Sequence, residues 1–371
     1  MSRPSLSFCM IVKNEAAHLA QCLSKVQPYV DEIVVVDTGS TDDTVAIAQQ
    51  YGARLSYFEW CDDFAAARNF SIAQATGDWV LTLDADEELV VEQPNWRDQL
   101  LTQESLAYLV PWIDLNQGIT PIYVPRLFRN LPELRYVEPY HERLTYLGNA
   151  PQQNITQHQT CFKILHHGYA PARVLEKNVQ RDIPMLERIR QEQGLSLLLL
   201  MTLADNYLRI EQVEQAKECW AEAFERILPH LLSGEAPPDT LRIPALLLVL
   251  GLDLLLDQHD YETALLVCRR GLEWFPAYPP LICLTGMVLR ELGLPLGAIA
   301  YFEQCLQMGR ESSYSLAESF DQRYMTVFPS HQLGLALLDL NRKPEAIAAL
   351  QQALATDPHY PPALETLAAL T

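Results

Sequence analysis

Basic residues are scarce in this chain of 371 residues, where 27 Lys and Arg stand against 47 Asp and Glu and leave a formal net charge of -20. No cluster of Lys or Arg offsets that charge. The balance argues against nucleic acid as a partner and against electrostatic docking on anionic lipid. An acidic surface is the ordinary state of a soluble cytoplasmic protein, and we expect that location.

Paired cysteines and long apolar runs are also missing. The eight cysteines are scattered without a Cys-x-x-Cys motif, so neither a zinc finger frame nor a disulfide scaffold is predicted. The most apolar stretches, 195–203 and 243–256, are too short for a membrane span and are interpreted as buried helices. The first residues do not have the pattern of a signal peptide.

The first half of the chain lacks the glycine-rich loops that bind phosphate in two large enzyme classes. No Gly-x-Gly-x-x-Gly follows the first predicted strand, and no Gly-x-x-x-x-Gly-Lys is present, which disfavours Rossmann redox chemistry and P-loop phosphate transfer. A nucleotidyltransferase normally has a basic, glycine-rich phosphate-binding loop near the first strand. This class is also disfavoured because no such loop is present. Helical patterns alternate with apolar runs, which predicts a parallel, doubly wound α/β sheet. The predicted strands lie at 6–12, 33–36, 53–58 and 79–83.

Acidic residues follow the ends of three of these strands. Glu15, Asp37 and the pair Asp84 and Asp86 are expected to meet at one edge of the sheet, where open α/β sheets bind ligands. Side chains two apart in an extended segment point to the same side. Two converging carboxylates beside a diphosphate are what Mg²⁺ or Mn²⁺ needs. The alternatives are an Asx turn for Asp37 and a solvated acid in the first turn of a helix for Glu15.

Four ordered motifs between residues 5 and 170 resemble the family-two inverting glycosyltransferases of the GT-A fold. Three of them read Met-Ile-Val-Lys-Asn-Glu at 10–15, Val-Val-Asp-Thr-Gly-Ser-Thr-Asp at 35–42 and Leu-Asp-Ala-Asp-Glu at 83–87. The fourth, Phe-Glu-Trp with Asp-Phe-Ala-Ala-Ala-Arg-Asn within 58–69, is similar to a block of one bacterial subgroup that often carries tetratricopeptide repeats.

The resemblance implies roles for the residues of these motifs. Asp37 would recognise the nucleotide base, Arg68 would approach the nucleotide, and Asp84 and Asp86 would bind Mn²⁺ or Mg²⁺ and, through it, the sugar diphosphate. The residues expected to contact the donor are Ile11, Val12, Glu15, Asp37, Arg68, Asp84 and Ala85.

The catalytic base is less obvious, because the Glu-Asp pair of many family members is missing. We predict that Glu142 takes the proton from the acceptor, with His141 orienting it or contacting phosphate, and Glu138 is the reserve candidate. The alternative is a salt-bridged loop in which Glu142 pairs with Arg143. His166, two residues before a glycine, is expected to complete the metal shell or bind the diphosphate, the alternative being a structural histidine.

The second half is interpreted as tetratricopeptide-like helical repeats. Gly286 and Ala298 are 12 residues apart, as are Gly334 and Ala346, and related series recur upstream, which predicts four units and a closing helix at 362–370. The expected domains are a catalytic domain at 1–170, a connecting helix at 171–196 and repeats with a capping helix at 197–371.

The fold class is therefore α/β plus all-α: a GT-A, Rossmann-like nucleotide-sugar domain followed by an α-helical repeat array. The predicted activity is metal-dependent inverting transfer of a sugar from a nucleotide-diphosphate donor, a UDP-sugar, to an acceptor on a protein, peptide, glycan or lipid. The alternative is a protein-interaction scaffold whose transferase-like domain is inactive. The repeats bind a protein or peptide partner, support the catalytic domain, or mediate formation of a homo-oligomer.

Overall fold

The computed structural model describes residues 3–101, 105–148, 156–159, 161–168, 171–239, 241–316 and 318–370. The chain divides into two compact units, Met1–Ile189 and Arg190–Thr371. The first unit thus takes in most of the segment at 171–196 for which the sequence predicts a connecting helix.

The first unit is built on a mixed sheet. The strand order is β3-β2-β1-β4-β7-β6-β11-β5, with β10 beside β6, and β8 and β9 form a separate pair. The strands are β1 Leu6–Val12, β2 Glu32–Asp37, β3 Arg54–Tyr57, β4 Trp79–Thr82, β5 Glu87–Val91, β6 Ala107–Asp114, β7 Ile122–Arg129, β8 Leu134–Val137, β9 Arg143–Tyr146, β10 Thr156–His158 and β11 Phe162–His166.

The four predicted strands are parallel as expected, and the strands added after them make the sheet mixed: β10 and β11 run parallel to β6, whereas β7 and β5 are antiparallel to their neighbours. Strands β3, β2, β1 and β4 run parallel, whereas β7 is antiparallel to both β4 and β6. The connection between β6 and β7 covers only residues 115–121. A parallel crossover needs a dozen or more residues, so this short connection produces an antiparallel pair.

The helices of the first unit cover both faces of the sheet. Strand residues Phe8 and Met10 pack into one apolar cluster with Leu23, while Cys9 and Ile72 lie in a second cluster. Burial on both faces explains the continuous apolar runs of these strands. The helices are α1 Leu19–Val26, α2 Thr44–Gln50, α3 Phe64–Ala73, α4 Trp96–Leu100, α5 Pro171–Lys177, a π-helical segment Asn178–Asp182 and α6 Ile183–Gln193, which continues past the unit boundary.

The second unit consists of helix pairs, as the repeat pattern predicts. A Cβ atom on Gly286 would lie 2.5 Å from the Phe302 ring, and one on Gly334 would lie 2.8 Å from Leu350, so these close helix contacts require glycine. Within the described parts of the chain, none of the helices has the length and hydrophobicity that crossing a membrane demands. The helices are α7 Leu197–Arg209, α8 Val213–Ser233, α9 Ile243–Leu256, α10 Tyr261–Trp274, α11 Pro279–Glu291, α12 Pro295–Glu311, α13 Val327–Asp339, α14 Lys343–Thr356 and α15 Pro361–Ala368.

Candidate active site

A cavity of about 790 Å³ opens in the first unit where β1, β2 and β4 end. Acidic, basic and aromatic side chains share its wall. The predicted site residues line it except for Asp37 and the reserve base Glu138. Those that do are Ile11, Val12, Glu15, Arg68, Asp84, Ala85, Asp86, His141, Glu142 and His166.

Arg68 connects two of the predicted carboxylates. Asp63 caps helix α3 by accepting from the Ala66 N–H, and this helix carries Arg68 to the cavity wall with only 7% of its side chain exposed. Its Nη2 lies 2.7 Å from Asp84 Oδ1, and its Nε donates to Glu142 Oε1. Arg68 therefore binds Asp84 and Glu142 through neighbouring nitrogens of one guanidinium.

Asp84 is held by a second arginine from β7. Arg126 Nη2 lies 3.1 Å from Asp84 Oδ2 and 2.7 Å from Glu87 Oε1. Burial alone would raise the pKa of Asp84, but the charges of Arg68 and Arg126 outweigh it and hold that pKa well below its ordinary value. Asp84 is therefore ionised, and both of its oxygens are oriented by arginine.

The segment between β8 and β9 carries the candidate bases. Glu142 pairs with Arg68 rather than with Arg143, whose Nη2 instead lies 2.7 Å from Glu138 Oε1. Glu138 and His141 both have left-handed backbone, with φ of 74° and 51°. Such conformations are strained for residues other than glycine and concentrate at functional sites. Of the two candidate acids, only Glu142 lines the cavity.

His166 lies between two carboxylates at the end of β11. Its Nε2 is 3.1 Å from Asp86 Oδ2 and its Nδ1 is 2.9 Å from Asp114 Oδ2. Burial alone would lower the pKa of His166, but the hydrogen bonds and charges of Asp86, joined by Asp114, raise it to about 9. A carboxylate that fixes one imidazole nitrogen while the other faces a site is the arrangement found behind metal-binding histidines.

Asp86 and His166 offer an oxygen and, once a metal displaces the imidazole proton, a nitrogen to a divalent cation that a substrate also coordinates. Among the described residues, no group of three or more His, Cys, Asp and Glu side chains is arranged to enclose an ion. Mg²⁺ is usually held by one or two protein carboxylates together with substrate phosphates and water, and carboxylate oxygens suit Mn²⁺ equally. The residues present therefore suit a metal that arrives with a diphosphate.

The two acids after β1 and β2 have different surroundings. Glu15 is buried, its N–H donates to Thr44 Oγ1 at 2.7 Å, and its Oε1 lies 3.4 Å from Lys177 Nζ. The Asp37 carboxylate accepts the N–H groups of Gly39 and Ser40 at 3.0 Å, so it forms the turn that was the alternative interpretation. Base recognition by Asp37 stays a prediction.

Sequence reasoning missed two features of this site, a carboxylate behind His166 and a basic segment of the cavity wall. Asp114 ends β6 as Asp37 ends β2, and an acid closing an apolar strand was the available signal. The segment from α5 into α6 was interpreted as a connector, yet it faces the cavity with four cations at helical spacing. These are Arg173, Lys177, Arg181 and Arg188.

Aromatic side chains form the remaining wall, beside Glu142. The rings of Trp60 and Phe64 are 4.8 Å apart, and Phe64 lies 5.9 Å from Tyr140, both in edge-to-face contact. All three line the cavity. They give it an apolar surface next to the candidate base.

A mixed sheet with an acidic cluster at its parallel strand ends, followed in the chain by helical hairpins, defines a GT-A domain joined to a repeat array. Residues 7–162 match the family model for glycosyl transferase family 2, and residues 330–360 match a tetratricopeptide repeat. The N-terminal domain thus belongs to glycosyltransferase family 2, and the chain carries a tetratricopeptide repeat near its C-terminus.

The names of two related proteins agree with these two assignments. A TPR repeat-containing protein of Synechococcus elongatus is 44% identical over 193 residues, which cover 50% of this chain and 46% of that protein. An uncharacterized glycosyltransferase of Rickettsia felis is 45% identical over 159 residues, covering 42% of this chain and 53% of that protein. The chain spans about half the length of these curated relatives.

One solved structure to which this chain is similar is glucosyl-3-phosphoglycerate synthase from Mycobacterium tuberculosis in complex with Mn²⁺, uridine diphosphate and glucosyl-3-phosphoglycerate. It is 20% identical, with a TM-score of 0.34, and the similarity covers 50% of this chain and 80% of that one.

Proposed function

We propose that this protein is a metal-dependent inverting glycosyltransferase that moves a sugar from a nucleoside-diphosphate donor, a UDP-sugar, to an acceptor on a protein, peptide, glycan or lipid. The observation that carries the proposal is the guanidinium of Arg68, which joins Asp84 on the donor side to Glu142 on the acceptor side of one cavity. An inverting transferase needs both groups within reach of one sugar carbon.

The donor side is formed by the strand ends. The nucleoside would lie along Ile11, Val12 and Glu15, and its diphosphate near Asp86 and His166. These last two residues would hold Mn²⁺ or Mg²⁺, which when bound supplies Lewis-acid stabilisation of the charge on the departing diphosphate. Asp114 keeps the His166 ring in the orientation that this requires.

The acceptor side is formed by Glu142 and the aromatic wall. Glu142 would take the proton from the attacking group as its bond to the sugar forms, and Arg68 keeps that carboxylate directed at the cavity. Trp60, Phe64 and Tyr140 would exclude water from this side and hold an apolar surface of the acceptor.

Titration calorimetry with UDP, in Mn²⁺ and again in EDTA, tests the donor half of the proposal. We expect binding that depends on the metal, followed by slow hydrolysis of one sugar nucleotide from a panel of UDP-sugars. Absence of metal-dependent binding to UDP would contradict the enzyme and favour the interaction scaffold. A second panel with GDP, ADP and dTDP shows whether another nucleotide replaces UDP.

A further inference from the structure

The segment from α5 through the π-helical turn lies along the cavity and carries more charge than a connector needs. Arg173, Lys177 and Arg181 all line the cavity. In the π-helical turn Asn178–Asp182 each backbone bond spans an additional residue, and such turns are rare and frequent at functional sites. The segment is therefore part of the site wall.

The arginines on this face contact the loops around the site. Arg173 donates to the Asn14 carbonyl at 2.6 Å, Arg188 donates to Asp62 at 2.5 Å, and Arg181 lies over the Phe64 ring at 5.1 Å. These contacts fix the segment to the ends of β1 and α3. Their geometry explains why the segment keeps one face toward the cavity.

Lys177 differs from these arginines in its position. Its Nζ lies 3.4 Å from Glu15 Oε1, and 24% of its side chain is exposed. Burial lowers the pKa of Lys177, while the charges of Glu15 and Asp86 act in the opposite direction. The ammonium thus lies beside the acid after β1 and within electrostatic range of the second aspartate after β4.

We propose that Lys177 binds the diphosphate of the donor and stabilises the charge that develops on it. This inference rests on the proposed function and assigns a role in it to a residue outside the four family motifs. A compact ammonium acts on phosphate as a point charge with three donors. Its effect is larger in a half-buried site than in water.

The role is consistent with the bonds that change. The bond from the sugar carbon to the diphosphate oxygen breaks, and its electron pair stays on that oxygen. The bond from the acceptor to the same carbon forms, and the acceptor proton goes to Glu142. Lys177 donates a hydrogen bond to the diphosphate throughout and gives up no proton.

Comparing uridine with UDP isolates this interaction. We expect Lys177→Gln to weaken UDP binding about 10- to 100-fold, the effect of losing one hydrogen bond to a charged group, while uridine binding stays unchanged. Lys177→Arg should restore much of the UDP affinity. Lys163→Gln, the same change at a residue that pairs with Glu92 and does not line the cavity, is the matched control.

The outcomes separate this inference from the proposed function. Equal UDP affinity in wild-type protein and Lys177→Gln overturns the role of Lys177 and leaves the transferase intact. A parallel loss of uridine and UDP binding shows a merely structural role and also overturns it. If the wild-type protein binds neither compound, the UDP donor itself is wrong and the role of Lys177 fails with it.

Discussion

The carboxylate of Asp114 lies 2.9 Å from Nδ1 of His166 and fixes the plane of that ring against the cavity. The same carboxylate accepts the N–H groups of Asn116 and Gln117 at 2.8 and 2.7 Å, which anchors it in the turn after β6. Loss of a carboxylate behind a metal-binding histidine lowers metal affinity about 10- to 100-fold. We expect that loss in Asp114→Asn, measured by titrating Mn²⁺ at fixed UDP.

Asn retains one acceptor oxygen for the turn, so the melting temperature of this variant should stay close to that of wild-type protein. Unchanged dependence on Mn²⁺ in a folded Asp114→Asn protein would show that His166 is not a ligand.

Asp86 is the carboxylate that contacts Nε2 of His166 at 3.1 Å. Asp86→Ala should abolish metal-dependent UDP binding, because it removes a charged oxygen ligand from a site with few protein ligands. Calorimetry in Mn²⁺ and in EDTA measures this. Glu88→Gln, two residues further along and paired with Lys25, should behave as wild type; equal effects of the two changes would argue against a metal site at Asp86.

Arg68 should contribute to stability as well as to catalysis. Arg68→Met leaves Asp84 and Glu142 without their shared cation. Removing one partner of a buried ion pair lowers the free energy of unfolding by about 3 to 5 kcal/mol. We expect the lower value because 35% of the Asp84 side chain is exposed. Denaturant unfolding measures it.

A double variant sharpens the test of Arg68. Asp84 keeps Arg126 as a partner in Arg68→Met, so adding Glu142→Gln removes the charge left unpaired and should recover part of the lost stability. Strict additivity of the two changes would mean that the contact contributes nothing.

Glu142 should be required for chemistry and not for nucleotide binding. Glu142→Gln can still accept from Arg68 and should bind UDP normally, while transfer falls about 100-fold or more because the general base is lost. The measurement is release of UDP from the donor identified by hydrolysis. Glu138→Gln is the companion variant and should retain transfer. If Glu138→Gln loses transfer and Glu142→Gln retains it, Glu138 is the base.

The second unit should show a pH-dependent stability that comes from Glu318. Burial raises the pKa of Glu318 to about 7, and the nearby charge of Asp205 adds to the effect while Arg242 opposes it. Arg242 Nε is 3.6 Å from its carboxylate, and Tyr278 also lies within reach of its charge. The folded state therefore favours the protonated acid.

The sign of the stability effect follows from this preference. Both states are protonated below the ordinary pKa of 4.5, and stability is lost as the pH rises toward about 7. At about 1.4 kcal/mol for each pKa unit the loss is about 3 kcal/mol. Glu318→Gln should have the melting temperature of wild-type protein near pH 4 and a higher one than wild type at pH 8. If variant and wild type melt at the same temperature at pH 8 as well, the prediction is wrong.

Local sequence patterns predicted the elements whose structure depends on residues within the same segment. The apolar runs that became β1, β2 and β4 predicted three of the four neighbouring parallel strands, because strands buried on both faces need continuous apolar residues. The glycine and alanine spacing around Gly286 and Gly334 predicted the helix pairs, because two close helices leave no room for a larger side chain. The length of the connection between β6 and β7 made that pair antiparallel, which the sequence patterns did not show.

The partners of the site residues could not be found in the same way. Glu142 was expected to pair with its neighbour Arg143 or to be free for catalysis, but it pairs with Arg68, 74 residues away. His166 and Asp86 are 80 residues apart in the chain and 3.1 Å apart in space. Such pairings depend on which strands become neighbours, and no local pattern encodes that order.

The sequence by itself determined the fold class, the repeat array and the set of acids at the strand ends, because these depend on hydrophobic periodicity and on short motifs. Only the tertiary structure decided that Arg68 lies between Asp84 and Glu142, that Asp114 orients His166, and that Lys177 reaches the cavity. The physical reason is that charged side chains are positioned by partners distant in sequence, and the packing of the folded core decides which of those partners meet.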